Sequence, residues 1–139
     1  MLKIKPFSAL ASFCVFCGIL LVGCYTAADS FRNVTGLYTV SLRNTPYQSR
    51  VFEWPAKKTY DCLLALLQEQ KLYIPIENRH ALKIVAMGFE RANDTTEVGF
   101  FLKGLTPKKT ELFIASKNPN LLERISADIF SKLEKKLAQ

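Results

Sequence analysis

The chain carries four cysteines and a single histidine, and their spacing bounds the chemistry open to it. Cys14 and Cys17 form a Cys-x-x-Cys pair in "CVFC", a spacing that suits dithiol redox work or half of a zinc site. Cys24 closes the apolar stretch "GILLVGC", after which the small and polar residues "YTAAD" begin. Cys62 stands alone in "KTYDCLLALL". His80 follows Glu77 by three positions in "ENRH", the makings of a proton-transfer pair. A catalytic pair needs converging partners, and a polar turn favours a solvated histidine instead. Ser41, Ser49 and Ser116 offer hydroxyls for a Ser-His-Asp arrangement, but none lies in a nucleophile-elbow context. Gly36, Gly88, Gly99 and Gly104 are isolated, so no glycine-rich phosphate loop is present.

The elements around these residues decide which of the candidates survive. Residues 1–23 are almost all apolar and carry only Lys3 and Lys5. A positive start, an apolar core from Phe7 to Val22 and small Gly23 make the three-part layout of a secretory signal peptide. The core has 16 residues, short of the roughly 20 a spanning helix needs. No basic cluster follows it, so cleavage is expected rather than retention.

The sequence "LVGC" at residues 21–24 resembles the lipobox of bacterial lipoproteins. Leu21 holds its third position before the cut, and Val22 stands where Ala or Ser is more usual. That resemblance implies a palmitate-type diacylglyceryl group on the Cys24 sulfur and cleavage between Gly23 and Cys24. It also implies a lipid-anchored protein of the cell membrane or outer membrane, facing the periplasm or the exterior. Tyr25, rather than Asp, after the cysteine resembles outer-membrane sorting in enterobacteria. Two or three acyl chains hold firmly where one holds only marginally. Processing there discards Cys14 and Cys17 with the apolar core, so no redox or zinc role is expected of them. A lipidated Cys24 leaves Cys62 without a disulfide partner, and its helical apolar surroundings suit a small core residue. Too few His and Cys then remain for zinc, and no metal or other cofactor is expected.

Residues 24–33 are small and polar and read as a tether; residues 34–139 are expected to form one domain. "VTGLYTVSL" (34–42) is a strand candidate, "RNTPYQSR" (43–50) a loop, and "RVFEW" (50–54) a second short strand. Pro55 suits the first turn of a helix, along which Tyr60, Leu63, Leu64 and Leu67 make one apolar stripe. "LYIPI" (72–76) is interrupted by Pro75 and suits a sheet edge, and "ENRH" (77–80) a turn. "ALKIVAMGFE" (81–90), "EVGFFLKG" (97–104) and "TELFIAS" (110–116) predict an antiparallel meander. In the first of these, Leu82, Ile84, Ala86 and Gly88 share one face, and Ala81, Lys83, Val85, Met87 and Phe89 the other. Gly88 and Gly99 are expected at a bulge or a close helix contact. Asn118 as cap and Pro119 in the first turn open a last helix, with Leu122, Ile125, Ile129, Leu133 and Leu137 on one stripe. The expected fold is α+β: a two-layer sandwich of an antiparallel sheet with two amphipathic helices packed on one face.

This order of elements after a lipobox resembles a family of small bacterial lipoproteins whose C-terminal domain has no known function. The resemblance rests on "TGLYTVSL", "KTYDCLLALL" and "NLLERISADIFSKLEKKL" and assigns no catalytic residue. The net charge of +7 falls to +5 without Lys3 and Lys5. The basic residues are scattered, with no arginine-rich tract, which argues for a surface beside an anionic membrane and against nucleic acid. Aromatic content is 12%. Adjacent Phe100 and Phe101 must point to opposite faces of a regular strand. One of them, with Phe113, would form a patch on the face free of helices, and Trp54 and Phe89 are further candidates for a groove. The leading expectation is a non-enzymatic structural or accessory module that binds an envelope protein. A carrier of a small apolar or anionic ligand comes second, and a hydrolase that uses His80 third.

Overall fold

The computed structural model describes residues 40–139. The signal-peptide reading, the tether, Gly23, Cys24 and most of the strand expected at 34–42 lie outside the described residues. Five strands and two helices follow: β1 (Tyr47–Phe52), α1 (Ala56–Glu69), β2 (Tyr73–Asn78), β3 (Lys83–Met87), β4 (Val98–Thr106), β5 (Lys109–Ser116) and α2 (Pro119–Leu137). The strands form one sheet in the order β1-β5-β4-β3-β2, antiparallel throughout. The meander β3-β4-β5 is its centre, and β1 and β2 are its edges.

Apolar residues at helical spacing give each helix one face to bury. α1 buries Tyr60, Leu63, Leu64, Leu66 and Leu67, and α2 buries Leu122, Ile125, Ile129, Phe130, Leu133 and Leu137 among others. Both stripes meet a single layer of strand side chains that includes Phe52, Ile84, Phe100, Leu112 and Ile114. Both helices therefore cover the same face of the sheet, as the apolar pattern predicts. Asn118 caps α2, its side chain accepting the Leu121 N–H at 3.2 Å, with Pro119 next in the first turn. Pro55 stands at the N-cap of α1, one place before the first turn. Its carbonyl accepts both the backbone N–H and the hydroxyl of Thr59, at 3.0 Å each.

Several local expectations change. Residues 47–49, expected in a loop, are half of β1, paired to β5 from Tyr47↔Ala115 to Phe52↔Thr110. Five of the six β1 residues are exposed, so the strand shows no apolar alternation. Its ladder with β5 holds it in place instead. Val40 to Leu42 are coil and turn, not strand. Glu77 and Asn78 belong to β2, and the reversal is tighter, with the Asn78 side chain accepting the Ala81 N–H at 2.9 Å and Leu82 at φ 50°. Pro75 lies in an edge strand where the register shifts between Tyr73 and Ile76, so its missing N–H interrupts no regular ladder.

The glycines deviate most. Gly88 adopts φ +92°, a conformation that only glycine takes freely, and β3 ends before it. The turn swings Phe89 to the helix side, where its ring lies 6.3 Å from that of Phe100; simple alternation had placed it on the other face. Gly99 makes neither a bulge nor a helix contact. A Cβ there would lie 2.7 Å from Val40 Cγ1 and from Phe101 Cε2, on the face away from the helices. A bulge does occur in β4, where the register shifts between Gly104 and Thr106 and gives Leu105 no regular partner.

Candidate interaction surfaces

The residues with chemical potential are dispersed by the topology. His80 is exposed in the β2–β3 turn, and Glu77 is exposed on β2. Between them in sequence, Arg79 forms an ion pair with Asp61 of α1 and lies over the Tyr60 ring, 5.2 Å from its centroid. Burial raises the Tyr60 phenol above its ordinary value; Glu77 adds to this and Arg79 opposes it. Ser49 donates to Glu111 Oε1 at 2.9 Å. Ser116 donates to the Glu97 carbonyl at 3.2 Å and pairs in register with Val98, whereas the turn with His80 adjoins Lys83 at the other end of the ladder. Ser41 precedes the turn that leads to Pro46, which bonds to Ser116. The three serines and His80 thus do not converge. Cys62 is a free, half-buried thiol packed against the core. Among the described residues no group of three or more His, Cys, Asp or Glu is placed to hold a metal.

Two concave or apolar features remain. A surface cleft of about 310 Å³ is lined by Gln70, Phe89, Arg124, Ile125, Asp128 and Ile129. The Gly88 turn supplies its Phe89 wall, and α2 supplies its aliphatic floor. Arg124 is engaged by Glu90 at 3.1 Å and Asp128 by Lys132 at 2.7 Å. Gln70 Nε2 is buried without a hydrogen-bond partner, so a donor is free at the edge of an apolar floor. The periodicity of α2 shows Ile125 and Ile129 as core; only the path of residues 88–90 turns them into a cleft.

The second feature is the sheet face opposite the helices. Phe101 and Phe113 are direct register partners there, as the alternation argument predicts. Tyr47 extends the row with an edge-on contact to Phe113 at 5.6 Å between ring centroids. Lys83 Nζ lies 5.4 Å from the Phe101 ring centroid. Val85, Ala115 and Val40 are buried, while Tyr47 is 51% and Val51 47% exposed. The apolar surface therefore runs out to solvent along the β1 edge. Phe100 points into the core and Trp54 lies beyond the end of β1, so neither joins this row.

No protein-family model matches the chain, and no curated protein matches it. Among the described residues, no helix is long and apolar enough to cross a membrane.

Proposed function

We propose that the chain is a lipid-anchored cell-envelope protein whose α+β domain works by binding another envelope protein rather than by catalysis. The observation that carries the binding role is the Tyr47–Phe113–Phe101 row. Tyrosine at a half-exposed edge beside half-buried phenylalanines is the composition of an interface centre. The anchor rests on the sequence: a charged start, a short apolar core and "LVGC". By the same resemblance the site of attachment is Cys24, after cleavage behind Gly23, and Tyr25 favours the outer membrane.

A fatty-acid analogue bearing an alkyne, fed to cells that express the chain, tests the anchor. Label is expected on the wild type and lost in Cys24→Ala; equal labelling of both would overturn the anchor. A photo-crosslinker in place of Tyr47 tests the interface. A discrete adduct from membranes is expected at position 47 and not at Glu123, on exposed helix surface; identical adducts at both positions would refute the assignment of this face.

The cleft supports a second reading, a carrier function. A ligand with an apolar body and one acceptor group would fill the Phe89–Ile125–Ile129 floor and pair with Gln70 Nε2. In that case Gln70→Leu would abolish uptake of such a ligand while leaving the Tyr47 adduct intact.

A further inference from the structure

We infer that the end of the sheet bearing the β4–β5 hairpin is a second membrane contact, one that docks on the anionic surface of a phospholipid bilayer. Four distant segments meet at this pole. The start of α1 joins β5 where the Thr110 hydroxyl donates to the Trp54 carbonyl at 2.8 Å. It joins the end of α2 where Lys58 Nζ reaches the Leu137 carbonyl at 3.5 Å. The β2–β3 turn is tied in by the Arg79–Asp61 ion pair and by the Leu102 N–H donating to the Leu82 carbonyl at 3.0 Å.

Charge is gathered here. Segments 53–61, 77–83, 103–111 and 134–139 hold nine Lys and Arg against five Asp and Glu, while the rest of residues 40–139 hold seven against six. Lys109 is paired with Glu53 and Lys136 with Glu69. Lys57, Lys103, Lys108 and Lys135 are exposed and form no ion pair among the described residues. At the apex, Leu105 is 44% exposed beside exposed Pro107. A polyanion such as RNA or an acidic peptide would satisfy the lysines and gain nothing from this apolar tip. A bilayer satisfies both, with phosphates for the lysines and acyl-chain boundary for Leu105. Trp54, the only tryptophan, lies at the same pole under Lys58, whose Nζ is 3.7 Å from its ring centroid. Indole rings favour the headgroup level of membranes.

The contact does not depend on acylation of Cys24, and the test separates the two. The chain from residue 24 onward, with Cys24→Ser, is mixed with vesicles of phosphatidylcholine alone or with about 30% phosphatidylglycerol, at millimolar lipid. Cosedimentation with the anionic vesicles only is expected, lost at about 0.5 M salt, together with quenching of Trp54 by brominated acyl chains. Each lysine at such a surface accounts for about fivefold in affinity, so Lys103→Gln with Lys108→Gln should weaken binding roughly 25-fold. Leu105→Ser should reduce the quenching. Lys71→Gln with Lys117→Gln, at the other end of the sheet, should leave binding unchanged. Absence of wild-type binding overturns the inference. So does equal weakening by the two double variants, which would reduce the effect to net charge. All of these side chains except Leu105 are charged and exposed, and circular dichroism checks that the variants keep the fold.

Discussion

Gly99 offers a sharp test of how the segment that begins at Val40 is held on the sheet. Its backbone φ lies outside the positive region that favours glycine, so alanine fits the backbone. The obstacle is the space above it. A Cβ would stand 2.7 Å from Val40 Cγ1 and from Phe101 Cε2. The Phe101 ring edge is the far end of a flexible side chain and yields at little cost. Val40 is β-branched and stiff at χ1, is buried at 2% exposure, and its N–H donates to Glu97 Oε2 at 3.3 Å. Overpacking of this kind costs about 1–3 kcal/mol, partly offset by about 0.5–1 kcal/mol from removing a glycine from a strand. Gly99→Ala should therefore destabilise by about 1–2 kcal/mol. Val40→Ala alone removes buried methyl groups and should cost about 2 kcal/mol. Together the two changes should cost less than their sum by about 1 kcal/mol, because the new methyl occupies the space that the valine vacates. Urea denaturation of the four proteins at one temperature measures the cycle. Additivity within about 0.5 kcal/mol would refute the packing of Val40 on Gly99.

Asn118→Ala removes the acceptor for the Leu121 N–H and should cost about 1 kcal/mol in urea denaturation, while Asn118→Asp should retain most of the stability. Asp94 is held below its ordinary carboxylate value, chiefly by the Thr96 hydroxyl and then by the Thr96 backbone N–H, with burial opposing. A depressed folded value means that Asp94 stabilises the fold above its unfolded pKa and loses that contribution as pH falls through the folded one. Thr96→Ala should raise the Asp94 pKa in a carboxyl-carbon NMR titration and flatten the loss of stability below about pH 4; an unmoved titration would refute the assignment.

Where the physics is local, the sequence is readable. The stripes of α1 and α2 follow from leucine and isoleucine at helical spacing. The Asn118–Pro119 start follows from cap chemistry, and β3, β4 and β5 follow from alternation. The first half of β1, residues 47–49, escapes such a reading because its side chains are exposed and only its backbone pairing with β5 defines it. The path of Phe89 escapes because one glycine, Gly88, reverses the face on which the next side chain falls. Gly99 looks like any strand glycine until Val40, 59 positions earlier, is brought above it. The cleft and the lysine pole are assembled from segments far apart in the chain, and only antiparallel topology gathers them. "LVGC", by contrast, is read entirely from consecutive residues, outside the described part.

The affinity proposed for the lysine pole is matched to the effective concentration that an anchor at Cys24 would supply. Four unpaired lysines at about 1 kcal/mol each give the pole about 4 kcal/mol, which corresponds to dissociation near millimolar. Alone, such a contact holds about half of the protein at millimolar lipid and little of it at micromolar lipid. Were Cys24 acylated, a chain of the length of residues 24–39 could reach at most about 55 Å, more than the roughly 30 Å of β4, which is enough for the pole to meet the bilayer. A short tether supplies an effective concentration also of millimolar order. Docked and undocked domain would then be similarly populated, and ionic strength would shift the balance. Docking engages the hairpin end and leaves the Tyr47 end of the β1 edge, at the opposite pole, free for a protein partner. The proposed partner and the bilayer would then use opposite ends of one sheet, and neither would have to displace the other.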